Sequence, residues 1–168
     1  MSNTSIENFK FNVISIEQHS FFLRNIPMKF KKELNLDLLK YEIKEIKLSL
    51  DLDEECISTT TTITAKYNDE DFIRTIYPNS KEIRKEEIIT LMQLVFEVKF
   101  LTSPISHLLI KEGENITISQ TILPLLTEMT LSTARGMIYS KCAGSVIAEK
   151  PLPYITGGNL ERAQKKIP

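Results

Sequence analysis

Through much of the first hundred residues, apolar side chains recur at every second position. In "FKFNVISIE", Phe9, Phe11 and Val13 alternate with polar neighbours, and Ile14 and Ile16 then continue one residue out of phase. One extra residue turns every later side chain to the opposite face, so the slip predicts a strand carrying a bulge or bend. The segment "FFLRNIPMKFKKELNL" follows. Pro27 lacks a backbone donor and argues against a regular central strand, so an irregular connection is expected. Ile46, Leu48, Leu50 and Leu52 alternate with Lys47, Ser49 and Asp51, the pattern of an antiparallel strand buried on one face. After the acidic turn "DLDEEC", Ile57, Ile63, Ala65 and Tyr67 bracket four consecutive threonines. Threonine is β-branched and favours a pleated surface, so the run reads as strand.

"NDED" marks a further turn, and "FIRTIYPNS", which ends near Pro78, reads as a strand end or a loop. The next segment opens with charges that suit a short helical turn. It closes as a strand from Leu94 to Leu101, with Phe96, Val98 and Phe100 on one face and Glu97 and Lys99 on the other. Pro104 ends it, and "KEGEN" is a turn around Gly113.

The period then changes. From Ser119–Ile122 onward the pattern is helical, with Pro124 suited to a first turn. At about 100° per residue, Ile122, Leu125, Leu126, Met129 and Met137 share one flank with the small residues Thr133, Gly136 and Ser140. Leu131, Ala134, Ile138 and Cys142 line another. A helix resting on one sheet needs a single apolar stripe, so the second one calls for a partner. On this reading Leu131, Ala134, Ile138 and Cys142 form an oligomer interface, and Gly144 caps the helix.

Composition narrows the chemistry. The chain has 168 residues, formal net charge −1, and no segment where Lys and Arg are massed enough to track a phosphate backbone, so no nucleic-acid partner is expected. The polar start "MSNTSIENFKFN" lacks the features of a signal peptide, and no apolar run approaches a membrane span, so a cytoplasmic protein with no membrane partner is expected. Cys56 and Cys142 stand alone, and His19 and His107 have no ligand-spaced partner, so no metal or cofactor is expected. His19 adjoins Ser20, but adjacent strand residues point to opposite faces. The five glycines do not form a phosphate-cradling loop, and "DLDEE" lacks the glycine of a calcium loop. The expectation is a protein that is not an enzyme and acts through its surfaces.

The order of elements, together with "FKFNVISI", "LPLLTEMTLSTARGMIYSKCAGS" and "KPLPYI", resembles the SecB family of protein-export chaperones. The likeness spans residues 1–155 as one domain, leaving 156–168 as a short charged tail. It implies an α+β fold: a four-stranded antiparallel sheet with the long helix packed on it, two dimers forming a homotetramer with the helices sandwiched between sheets. It further implies ATP-independent holding of unfolded polypeptide clients in apolar grooves, possible linkage to export through the motor ATPase, and no cofactor. The alternative is a dedicated adaptor, or an antitoxin-type chaperone with one specific partner. Strong acidity serves motor docking in the family's export chaperones, and this near-neutral chain lacks both that charge and a long second helix. Under the chaperone reading, the client-binding candidates are Phe21, Phe22, Met28, Phe30, Leu152 and Tyr154.

Overall fold

The computed structural model describes residues 10–44, 46–76, 88–112 and 115–153. In chain order the elements are β1 (Lys10–Leu23), α1 (Met28–Lys31), β2 (Leu39–Ile43), β3 (Lys47–Asp51), β4 (Cys56–Asn68) and α2 (Glu70–Ile76). They continue with β5 (Ile88–Ser103), β6 (Leu109–Glu112), β7 (Asn115–Ile118), α3 (Leu123–Lys141) and α4 (Val146–Glu149). The fold is α+β, an antiparallel sheet with the long helix α3 laid on it.

The sheet runs β1-β5-β4, and β2 and β3 follow one another along the far edge of β4. Leu39–Ile43 pair with the second half of β4 and Lys47–Asp51 with the first. Between them the Lys44 N–H donates to the Thr62 carbonyl over 2.9 Å, so the two short strands occupy one position of the sheet. The alternation at 46–52 marked β3; β2 was not anticipated. "FIRTIYPNS" departs from expectation as well, since Phe72–Ile76 belong to the helix α2, whose Phe72 N–H is accepted by the Asp69 carboxylate over 3.1 Å. The charged stretch at 81–87 lies outside the described residues.

The phase slip in the first strand is a bulge. Val13 pairs with Phe100 and Ser15 with Lys99, which leaves Ile14 as the extra residue. A second shift falls at His19, between Gln18 and Ser20. The strand also runs further than expected, to Leu23, before Pro27 interrupts it.

Paired residues share a face, which defines the core. Ile57, Ile63, Ala65 and Tyr67 of β4 lie beside Phe100, Leu94, Met92 and Ile89 of β5, and all eight are buried. Over them α3 places Leu126, Leu131, Ala134 and Ile138, with Cys142 just beyond its end. One polar pair crosses this layer: the Thr59 and Thr130 hydroxyls meet at 2.7 Å, and Thr130 donates onward to the Leu126 carbonyl at 2.7 Å. Both are fully buried, and the mutual bond removes the desolvation cost either would carry alone. A hydroxyl pair has directional geometry that methyl contacts lack, so it sets where along the sheet the helix sits. Among the described residues no helix is long and apolar enough to cross a membrane.

Candidate functional site

The β1–β2 connection and the chain leaving α3 come together at one end of the molecule. Past the helix, Gly144 takes φ +76°, a conformation that suits glycine, and the turn it makes sends the chain back toward the sheet. The Ser145 hydroxyl donates to the Cys142 carbonyl over 2.6 Å and accepts from the Ile147 N–H, starting α4. Side chains from both sides then pin this segment. Lys31 donates to the Gly144 carbonyl at 2.6 Å, Tyr41 to the Lys150 carbonyl at 2.7 Å, and Lys150 to the Leu36 carbonyl at 2.7 Å. From α3 itself, Arg135 donates to the Pro153 carbonyl at 2.8 Å.

Between the two walls lies a crevice of 220 Å³. Leu23, Ile26 and Val146 supply its apolar lining, while Arg24 and Lys31 supply charge. Among the described residues none that lines it is acidic. Such a site can accept an apolar side chain while its polar rim holds the adjoining backbone.

The client-binding candidates are divided by this geometry. Phe21 lies half-buried on the inner sheet face, two residues from Leu23, with the Lys141 ammonium 5.5 Å from its ring centre. Phe22 pairs with Gln93 on the opposite face, where Arg24 covers its ring at 5.5 Å, so the two neighbours do not share a site. Phe30 packs edge-on against Phe72 with ring centres 6.3 Å apart and anchors the connection. Leu152 is core, 4% exposed. The side chain of Met28 and all of Tyr154 lie outside the described residues. Arg24, Lys31, Gly144 and Ser145 were not among the candidates. Gly144 was recognisable as a cap, but nothing local in the sequence ties Lys31 to a carbonyl 113 positions away.

The proposed interface of Leu131, Ala134, Ile138 and Cys142 is corrected. All four are buried within the subunit, against its own sheet. Helical winding distinguishes two flanks but not which one meets the sheet, and here the sheet takes this one. The face left outward carries Ser132, Gly136, Ser140 and Tyr139, the last 74% exposed. Beside it, Met129 and Met137 are half-buried. On the sheet, β1 turns Val13 and Ile16 to the core side, yet these stay 42% and 50% exposed. A second apolar hollow, of 310 Å³, lies between β3 and the start of α3, lined by Leu48, Leu50, Ile118 and Leu123.

Electrostatics here are set by burial. Removal from water pushes the Tyr41 hydroxyl up to about 12, with a smaller contribution from the nearby Cys142 sulfur. Burial likewise raises the Cys142 thiol, which favours the unreactive protonated form. On the far edge, the Lys66 ammonium at 2.5 Å holds the Glu42 carboxyl below its ordinary value. His19 lies 3.9 Å from Glu17 and 3.5 Å from Glu97, and no cluster of three ligands suited to a metal occurs among the described residues.

No protein-family model matches the chain, and no curated protein matches it in sequence.

Proposed function

We propose that this protein is an ATP-independent holdase that shields apolar segments of unfolded polypeptides, assembled from several copies, with a homotetramer the form that the SecB resemblance implies. The observation that carries the reading is apolar surface left in water on β1, together with a small crevice that has an apolar lining. Val13 and Ile16 sit on the core side of the sheet on β1 and stay about half exposed. Close to the end of β1, the crevice is lined by the half-buried Leu23 and by Ile26 and Val146, each 4% exposed. Exposed contiguous apolar surface marks an interaction site, because water is the costlier neighbour.

The two places suit different occupants. The edge of β1, which pairs with no further strand among the described residues, and the small residues Ser132, Gly136 and Ser140 present a surface that another subunit can match. The crevice is short and mixed in character, and suits side chains of varied sequence. Binding that rests on buried area rather than on patterned hydrogen bonds is tolerant of sequence, as a holdase requires.

The test is refolding of an unrelated, slow-folding protein without nucleotide. Stoichiometric slowing, with the client kept soluble by an oligomeric species, is the expected result. Absence of any effect on several unfolded clients would overturn the holdase reading and favour a dedicated adaptor or an antitoxin-type protein with one partner.

A further inference from the structure

On the side of the sheet away from β1, part of the edge is β3, whose five residues read Lys47-Leu48-Ser49-Leu50-Asp51. Read backwards the pattern repeats with the charges exchanged: a charge, a leucine, a serine, a leucine and the opposite charge. β3 bonds to β4 on one side and to no further strand among the described residues on the other. The pairing also fixes the faces. Leu48 and Leu50 lie beside Thr59 and Ile57 on the core side, whereas Lys47, Ser49 and Asp51 lie beside Thr60, Ser58 and Cys56 on the outer side. Leu48 is 39% exposed, and with Leu50 it lines the 310 Å³ hollow that Ile118 and Leu123 bound from the other side. Lys47, Ser49 and Asp51 are all exposed. At the strand end the Asp51 carboxylate accepts from the Glu54 N–H over 3.0 Å, which folds the acidic turn back on β3.

An open strand edge is a template for another strand, and charge on it commonly serves to keep other chains away. Here the two charges differ in sign and stand two residues to either side of Ser49. An antiparallel copy related by a twofold axis at Ser49 sets Lys47 against Asp51 of the second copy, Leu48 against its Leu50, and Ser49 against its Ser49. Each pair joins residues of one face. Opposite charges and apolar pairs across strands are favourable, and like charges directly opposite are not. A parallel copy would oppose lysine to lysine. A slip of one residue would oppose Lys47 to Leu50 and turn every side chain to the wrong face. We infer that β3 is a self-association edge, through which two copies pair antiparallel along Lys47–Asp51. The contact is isologous, so by itself it closes on a dimer. The two apolar hollows meet near the axis, and the leucines that each copy leaves in water exclude it from one another. Lys44 and Lys47 of one copy come beside the acidic turn that begins at Asp51 of the other. The inference concerns the edge away from β1 and does not rest on the holdase reading.

The experiment follows self-association of the full-length protein by analytical ultracentrifugation over a dilution series. Lys47→Asp puts like charges opposite one another at both symmetric positions and should raise the dissociation constant at least about 10-fold at low salt. Asp51→Lys should do the same. An equimolar mixture of the two variants restores opposite charges at both pairs and should recover the wild-type constant. Ser49→Cys keeps both charges, and the two native cysteines, Cys56 and Cys142, are buried. Mild oxidation of that variant should therefore yield one disulfide-linked dimer. Unchanged constants in both charge variants, or no linked dimer, would overturn the inference and leave the holdase reading, which refolding tests, untouched. Weakening in each variant that the mixture does not reverse would overturn the pairing of Lys47 with Asp51. A ladder of larger linked species would show unspecific edge contact and overturn the twofold pairing. A Ser49→Cys chain that links to an unfolded, cysteine-bearing client and not to itself would overturn the inference in favour of an edge for clients.

Discussion

Strands β1 and β5 lie side by side in one sheet, are similarly rich in apolar residues, and meet opposite fates. On β5, Met92, Leu94, Phe96, Val98 and Phe100 are completely buried. One strand over, on the same face, Val13 and Ile16 are about half exposed. The difference is one of cover. α3 meets β4 through Thr130, and at its far end Lys141 meets Phe21 of β1. The middle of β1 is therefore left without a roof, and its outer edge without a paired strand among those described. Hydrophobicity alone does not make a residue core; a neighbour must arrive to exclude the water.

The sharpest way to break this comparison is to truncate one residue of each strand. Phe96→Ala should cost about 3–5 kcal/mol by denaturant unfolding, as for a fully buried aromatic ring. Ile16→Ser should change subunit stability by no more than about 0.5 kcal/mol while lowering the native mass seen by light scattering. A large loss of stability at Ile16 with unchanged mass would mean that β1 belongs to the subunit core after all.

The bond between helix and sheet comes next. Thr130→Val leaves the Thr59 hydroxyl without its closest partner inside the core and should cost about 1–3 kcal/mol. Replacing both threonines by valine should recover most of that loss, because the shape is kept and no orphan remains. A double variant no better than the single one would show that the pair is not what holds α3 in register.

Gly136 separates the two faces of the helix. A Cβ there meets nothing within 4 Å in the subunit. Gly136→Ala should thus stabilise the monomer by up to about 1 kcal/mol through helix propensity. If a second helix packs on that face, the same methyl should weaken the assembly, read as a rise in the dissociation constant. Stabilisation of the monomer with an unaltered assembly would move the interface away from α3.

The smallest effect is one of pH. The Tyr41 hydroxyl is neutral when buried, and its folded value near 12 exceeds the ordinary 10. A value raised on folding contributes stability that is complete below pH 10 and is lost as the pH climbs through about 12. Ultraviolet titration should show Tyr41 ionising late, with Tyr67 also raised by burial, and Tyr41→Phe should remove part of the alkaline loss. The same substitution unpins Lys150 from the sheet, so client binding at the crevice should weaken modestly at neutral pH.

How much of this was legible depends on the range of the contact that decides each feature. The bulge at Ile14 could be read from a phase slip within a few residues, and the strand ending before Pro104 from a missing donor. The helix α2 could not be read from "FIRTIYPNS", because too few residues are present for a period to show and its start depends on the Asp69 side chain. Of the candidate site, the aromatic Phe21 was recognisable as apolar surface near the β1 end. Its separation from Phe22 required knowing the register of β1 against β5, which a second bulge at His19 resets.

Alternation and period by themselves determined the α+β class, the positions of the main strands and the presence of one long helix with two apolar flanks. They could do so because side-chain direction follows from backbone geometry every two or every 3.6 residues. Which flank of α3 meets the sheet was decided only by the tertiary structure, and so was the gathering of Arg24, Lys31 and Gly144 around one crevice. Those outcomes rest on contacts far apart in the sequence, 71 positions for Thr59 and Thr130 and 113 for Lys31 and Gly144, where local propensity carries no information and only the packing of whole elements selects a partner.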